Sequence, residues 1–591
     1  PWASGLIRRN GPRPAAYINL LLTLLAVVHG SLVFRDVLCN GPQVLDFPWF
    51  QAAELDLRVG FDLSVTNLAA LDLVTFMSLV GQIFALGYLD KEWSLARFYA
   101  LVGFFEGAMA GVVLSSNLFM SYFLLEMLTL STYLLVGFWY AQPLVVTAAR
   151  DAFLTKRVGD VLLLMGVVAL SAWAPSMEFP ELYRWSAAVQ ANPTFSPLAG
   201  TLLGLGLIAG PMGKCAQFPM HLWLDEAMEG PNPASILRNS VVVTCGALVL
   251  LKVMPLLVLS PLAVDVLLVV GTISAIGGAL VAIAQIDIKR TFSYSTTAYL
   301  GLVFIAIALQ QPFMALLLLF THGIAKALLF LSLGCVIATP NCQDLTELGG
   351  LGRRMPATTL SYLVAGLGLI GLAPLGCFWC FALMVENFRP DHPLLALVVL
   401  LTNALTAFNV ARVFRQVFLD RPHPKTRRTP EANWLMALPM VSLAVVVLLT
   451  PLVIQRIFPL GALSAFSLQS ALLVEASSVI GALVGALVPL DAFWSRAVFR
   501  PLRMVQDLLA YDFYTERIYK RTIVAFVASL AALVNRVDRV LVNGLVNRIG
   551  SASLASAEGL KLGVSGQMQS YVLTLVSAIV ILLGGLAWLQ R

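Results

Sequence analysis

Two lysines, two glutamates and a histidine with a following lysine sit in segments otherwise built to lie in hydrocarbon. Lys214 falls at the heart of GLGLIAGPMGKCAQFPMHLWLDEAMEGPNP (204–233), between Gly and Pro residues. Glu126 lies mid-segment in SYFLLEMLTLSTYLL, Glu106 in LVGFFEGAMAG, Lys252 in LVLLKVMP, and His322 with Lys326 in LLLLFTHGIAKALLFLSLG. An ionised group at membrane depth is costly, so it must be paired, reach water or lose its charge. Gly and Pro in such a segment break a helix beside a polar cavity. The chemistry open to this set is the movement of protons or cations. A carboxylate beside an ammonium stays ionised, and moving either partner shifts both proton affinities. Glu126 and Lys214 are the expected pair of that kind. His322 and Lys326 stand four residues apart, share a helix face and could pass a proton between them. The alternative for each group is a static ion pair between helices or a snorkelling lysine.

The elements that must hold these groups follow from composition. The chain has 591 residues, of which 59% are hydrophobic and 12% charged, and its mean hydropathy is +0.85. That is a polytopic, all-α membrane protein. A helix crosses about 30 Å of hydrocarbon at about 1.5 Å per residue. Apolar stretches of that reach occur near 16–35, 68–89, 96–115, 117–139, 157–173, 198–230, 236–258, 261–284, 292–310, 312–338, 357–385, 394–418, 434–455, 467–490 and 571–590. Basic loops around Lys91 and Arg97, Arg150 to Arg157, Lys289 and Arg290, Arg353 and Arg354, Arg421 to Arg428, and Arg496 to Arg503 should share one face. They do so only if 198–230 counts as one interrupted crossing, which puts Lys214 inside a broken helix. GLGLIAGPMGKC (204–215) is similar to GLGLIGLAPLGC (366–377), and matched broken helices in two halves point to a transport site. The expected organisation is 1–95 as N-terminal helices and loop, 96–258 and 261–418 as two related repeats, and 434–490 as further helices. A lateral amphipathic helix over 516–550 then leads through a small-residue linker, SASLASAEG, to a terminal anchor at 571–590.

Soluble-enzyme signatures are missing. There is no GxxxxGK[ST], no dinucleotide fingerprint in a βαβ setting, and no Cys quartet or HExxH. Cys377 and Cys380 form CxxC inside an apolar segment, where packing is the expected role rather than redox or zinc. The net charge of +6 reflects loop residues rather than a nucleic-acid patch. The chain begins at Pro1 without a Met, and PWASGLIRR could be the end of a helix.

Several motifs in order carry a resemblance. GKCAQFPMHLWLDEAMEGPNP, QIDIKRTFSYST (285–296), THGIAKALLFLSLGCVI (321–337), APLGCFW (373–379), RVGD (157–160) and the GQMQSY segment together resemble the large antiporter-like subunit of respiratory complex I and its photosynthetic NDH-1 relatives. That subunit is also similar to Mrp sodium/proton antiporters. The resemblance implies two inverted five-helix repeats in a sixteen-helix protein, with the first helix mostly absent here. It implies that Glu126, Lys214 and Lys326 belong to a charged axis for proton translocation. Read from their own positions, His322, Lys252 and Glu386 are further candidates for the proton pathway. Plastoquinone and iron–sulfur chemistry would reside in partner subunits, with no cofactor bound by this chain.

The departures from the family pattern are specific. SILRNSVVV (235–243) replaces a titratable His region by Arg238 and Asn239, and Arg cannot easily relay protons. CFWCFALMVE puts Phe381 and Ala382 where the family has an exit-side Lys and Asp, with Glu386 one turn further on. WLDEAMEGP adds Asp225 next to Glu226. These changes look like the form of the subunit in cyanobacterial NDH-1 complexes that couple electron transfer to CO2 uptake. Arg238, Phe381, Cys377 and Cys380 are then candidates for an altered path. The expected partners are other membrane subunits including a neighbouring antiporter-like one, a soluble CO2-hydration subunit and lipids, with no nucleic acid, in the thylakoid membrane. A free-standing Mrp-type antiporter and a scaffold that has lost transport are the alternatives. The lateral helix and GQMQSY ending weigh against the first, and three retained intramembrane charges against the second.

Overall fold

The computed structural model describes residues 13–52, 55–191, 196–457, 465–489 and 500–590. The PWASGLIRR stretch, residue 490 of the expected last paired span, and residues 496–499 of the last basic cluster lie outside the described residues. The chain forms two units, residues 1–513 and 514–591.

In the first unit α1 (Arg13–Asn40) leads into an antiparallel hairpin of β1 (Gln43–Ala52) and β2 (Leu55–Leu63). The hairpin is absent from the sequence reading, which treats 1–95 as helix and loop. Its signal is the strict alternation in LDLRVGFDL, the period of a half-buried strand. Helices α2 (Val65–Tyr88), α3 (Leu95–Leu114), α4 (Leu118–Val136), α5 (Pro143–Ser171), α6 (Phe179–Ala191), α7 (Pro197–Lys214) and α8 (Leu222–Glu226) follow. Next come α9 (Asn232–Leu257), α10 (Pro261–Ala284), α11 (Ile288–Ala308) and α12 (Pro312–Ala338). The second broken pair is α13 (Pro356–Leu369) and α14 (Gly376–Phe388). The unit ends with α15 (Pro393–Leu419), α16 (Trp434–Ile457), α17 (Leu468–Leu487) and α18 (Arg500–Ala510). Short polar residues start these helices where the sequence changes from loop to apolar run. The Asn117 side chain accepts from Met120 N at 2.7 Å, and Asp287 accepts from Lys289 N at 2.8 Å, meeting amide donors that a helix start leaves open.

Among the described residues twelve helices are long and apolar enough to cross a membrane. The remaining expected crossings are α5, which carries Arg150, Asp151, Lys156, Arg157 and Asp160, and the two broken segments. Burial separates centre from rim. The apolar window of α11 is 100% buried and that of α12 89%, against 11% for α1. A helix hydrophobic on all sides belongs inside a bundle, and α11 and α12 carry Lys326 and its neighbours there.

Both helix breaks occur, although not in the register of the 204–215 and 366–377 likeness. α7 runs through Pro211 and ends at Lys214, and the first break spans the turn before α8. The second break opens after Leu369, earlier in its segment than the likeness requires. The residues that correspond are Pro219 and Pro374, each following a cis peptide bond.

The second unit is one long run of helix, Thr515–Tyr519 continuing through π turns into Ala525–Val537 and Gly544–Gly563, followed by α20 (Met568–Leu589), which we count after the long helix α19 (515–563). The expected linker SASLASAEG is helical, a correction to the sequence reading. Its Ala, Leu and Glu residues are strong helix formers, and Ser adds little cost. At about 1.5 Å per residue α19 reaches roughly 70 Å.

Candidate proton-transfer site

The Lys214 site is assembled by close contact between α5 and α7. A Cβ on Gly159 would meet Ala209 O at 2.7 Å, and one on Gly206 would meet Gly166 Cα at 3.1 Å. Small residues let two helices in lipid approach this closely, and Asp160 follows Gly159 directly. Lys214 Nζ lies 2.6 Å from Asp160 Oδ1, with both side chains almost wholly buried. It also donates to Thr129 Oγ1, and Thr129 Oγ1 donates to Asp160 Oδ2 at 2.7 Å.

This corrects the expected Glu126–Lys214 pair. Glu126 is bound by Arg157 instead, at a partly exposed position. Glu126 and Asp160 are both within reach of the α4–α5 contact, but Asp160 lies on the face of α5 that meets α7. The RVGD motif held the missed carboxylate. Lys156, four residues before Asp160, was also missed; it is fully buried, donates to Thr132 Oγ1 at 3.0 Å and lies 4.2 Å from the centroid of the Trp223 ring.

From there a line of polar groups runs through α9 toward α11. Arg238 is fully buried in a π turn (Arg238–Val242) and donates to Ser235 Oγ at 2.9 Å, while its Nε and Nη1 have no hydrogen-bond partner among the described residues. Asn239 donates to Ser235 O at 3.0 Å and accepts from Thr296 Oγ1 at 3.0 Å. Ser295, beside Thr296 on α11, accepts from Lys326 Nζ.

Lys326 has no carboxylate partner among the described residues; it lies 5.7 Å from the Phe292 ring centroid. Among the described residues neither ring nitrogen of His322 has a hydrogen-bond partner, so the expected direct transfer between His322 and Lys326 is not built. The His322 ring stacks on Tyr299 at 5.0 Å, and Tyr299 packs against Phe381 at 5.7 Å. The position where the resemblance leads one to expect a lysine, Phe381, is thus part of a buried aromatic stack. Cys380 Sγ contacts Met314 O at 3.3 Å and Cys377 Sγ contacts Thr321 Oγ1 at 3.4 Å. Both thiols are buried and free, in keeping with packing.

Two expected members stand apart. Lys252 donates to Val113 O and Ser115 O at 2.8 Å each, at the end of α3, where a cation satisfies last-turn carbonyls. Glu386 accepts from Ser467 N at 2.9 Å and from Ser470 Oγ at 2.6 Å. It is committed to the start of α17, and Arg389 at 3.9 Å is its ion partner, so it does not replace the missing lysine beside Lys326.

A protein named NAD(P)H-quinone oxidoreductase subunit 5, organellar chromatophore 2, from Paulinella chromatophora is 64% identical over the whole of this chain and 95% of its own length. The chain belongs to the family of NAD(P)H-quinone oxidoreductase subunit 5. It is an integral membrane, antiporter-like subunit of an NDH-1 type complex. The chloroplastic subunit 5 of Chara vulgaris is 28% identical over 94% of this chain and 90% of its own. The family described as NADH:quinone oxidoreductase/Mrp antiporter, TM, matches residues 115–406, and NADH-Ubiquinone oxidoreductase (complex I), chain 5 N-terminus, matches 49–99. A chain in a structure of the Mrp complex from Dietzia sp. has the same fold, with a TM-score of 0.71 at 19% identity; the likeness covers 92% of this chain and 63% of that one.

Proposed function

We propose that this subunit moves protons along the line from Lys214 and Asp160 to Lys326, and does so in the form of the complex that couples electron transfer to CO2 uptake. The observation that carries the first part is the Lys214–Asp160 pair, two almost wholly buried charges joined by Thr129. A buried pair is poor value for stability alone; one that can exchange partners stores and releases a proton. The Lys326 end has no carboxylate partner among the described residues. His322, Arg238 and Asn239 line the stretch between or beside them, while Lys252 and Glu386 are held elsewhere, at the end of α3 and the start of α17.

The CO2-uptake form is supported by the departures at the exit. Phe381 and Ala382 are buried and offer no titratable group, and Arg238 holds its charge. A path closed at its ordinary end suits a subunit whose proton removal serves a reaction on a neighbouring soluble protein, here the hydration of CO2. Plastoquinone and iron–sulfur clusters belong to partner subunits in this reading, and the membrane is the thylakoid.

Gentle purification of the tagged subunit from its native membrane, followed by mass spectrometry of everything bound, tests both parts. The expected result is a quinone-reducing NDH-1 assembly with a carbonic-anhydrase-like subunit. The same assembly without that subunit removes the CO2 reading and leaves an ordinary proton-pumping role. Small Mrp-type partners alone would overturn the assignment.

A further inference from the structure

Lys156 is used by none of the roles above, and its surroundings are unusual for a structural lysine. It is fully buried on α5, one turn before Asp160, so both side chains lie on one face. The same face meets Thr129 and Thr132, three residues apart on α4. Lys214 Nζ and Asp160 hold Thr129, while Lys156 Nζ holds Thr132 at 3.0 Å. Among the described residues Lys156 has no carboxylate partner of its own. Lys214, Asp160 and Arg238 are close enough to act on it electrostatically.

The charge count decides what such an arrangement can do. Lys156 stands among Lys214, Arg238 and the carboxylate of Asp160, and Arg157 acts on Lys214 in addition; among the described residues the one ion pair here is Lys214–Asp160. Arg238 keeps its proton. In an interior of low dielectric, charging both lysines at once is opposed by desolvation and by mutual repulsion. Other titratable groups on elements packed against α5 are already engaged: Glu126 by Arg157, and Asp225 and Glu229 by Arg290. Glu226 lies on the same turn.

We propose that Lys156 is a second proton seat of the Lys214 site, so that one proton is shared between two lysines around one carboxylate. The proposal rests on the proton-translocation reading above. In the transfer Lys214 changes from ammonium to amine and Lys156 from amine to ammonium; Asp160 remains a carboxylate and no bond to carbon changes. The hydroxyls of Thr129 and Thr132 mark the path. The Trp223 face stabilises the ammonium once it has formed on Lys156, and the fixed charge of Arg238 drives it back, which makes the seat transient.

The test is proton flux across vesicles holding the native complex, measured over a range of pH, with assembly checked by native electrophoresis. Lys156→Arg retains the charge, the ring contact and a donor for Thr132 but cannot release its proton. A structural lysine would tolerate that change; a proton seat would not. The expected result is normal assembly with flux lowered by about tenfold or more, equivalent to ~1.4 kcal/mol on the barrier, and a pH profile displaced from the parent's. Parent-like flux and pH profile in Lys156→Arg would overturn the proposal. If the arginine variant does not assemble, Lys156→Gln decides: it can still bond Thr132, and parent-like flux there overturns the proposal while a loss with a displaced profile supports it. Lys214→Met is the reference. Normal flux in that variant removes the underlying proton reading, whereas its loss beside a parent-like Lys156 variant removes only the second seat.

Discussion

The Lys214 and Lys326 sites lie beside comparable breaks in the membrane helices, yet they are built on opposite electrostatic terms. Lys214 has a carboxylate at 2.6 Å and a threonine that bridges the two. Lys326 has one serine hydroxyl, an aromatic ring and an unbonded histidine nearby. The first is a place where a charge can rest, because its desolvation is offset by a partner. The second is a place where a charge is held only at a cost. A proton passing between them moves from a well to a barrier, so flow in that direction must be driven by a change elsewhere. Two similar helix breaks therefore need not carry similar energetics; a single residue on the neighbouring helix, Asp160, sets the first site apart.

The most damaging change should be Lys214→Met, which removes the cation of the well. We expect coupled activity of the complex to be lost or strongly reduced with the assembly intact, read as quinone-dependent proton uptake in vesicles. Normal activity would mean that the well is structural. Asp160→Asn should come next, because it makes the first site resemble the second. Removing one partner of a buried pair leaves an uncompensated charge worth about 3–5 kcal/mol, so a large fall in flux and a lower melting temperature are expected. If flux and melting were unchanged, Glu126 would have to serve Lys214 after all. Phe381→Lys runs in the other direction by restoring a cation at the closed end. Because Phe381 is buried in an aromatic stack, a lower melting temperature is expected together with altered proton flux; flux and melting identical to the parent's would deny that position any functional weight.

Ser295→Ala is a finer probe of the Lys326 end. Loss of a hydrogen bond to a charged group costs about 1.5–3 kcal/mol, and the expected effect is a slower flux with the Lys214 site unaffected. The smallest effect is expected far from both sites, at the exposed Lys425–Glu347 pair. Lys425 holds the Glu347 carboxyl below its ordinary range. The pair's contribution is therefore present above the unfolded carboxyl's pKa and disappears as pH falls through the folded one. Lys425→Ala should leave flux unchanged at neutral pH, measured beside the other variants; a marked loss would show that the loop communicates with the two sites.

Much of this protein was determined by its sequence. Hydropathy located the crossings, because lipid admits only helices with their backbone bonds closed internally, and the rarity of charge in hydrocarbon made Lys214 and Lys326 stand out. The Gly and Pro residues announced both breaks. The partnerships were decided only in three dimensions. Asp160 and Glu126 are both carboxylates next to the same helix contact, and no local rule says which will face Lys214; the glycine seam of α5 and α7 brings Asp160 there and leaves Glu126 to Arg157. Glu386 reads as a substitute for the missing lysine because it lies one turn away along the chain, whereas packing turns it toward the start of α17. The hairpin was legible as alternation but hidden between long apolar helices. Spacing along a helix fixes which residues share a face; which face meets which neighbour depends on the packing of the whole bundle, and the electrostatics of the site follow from that packing.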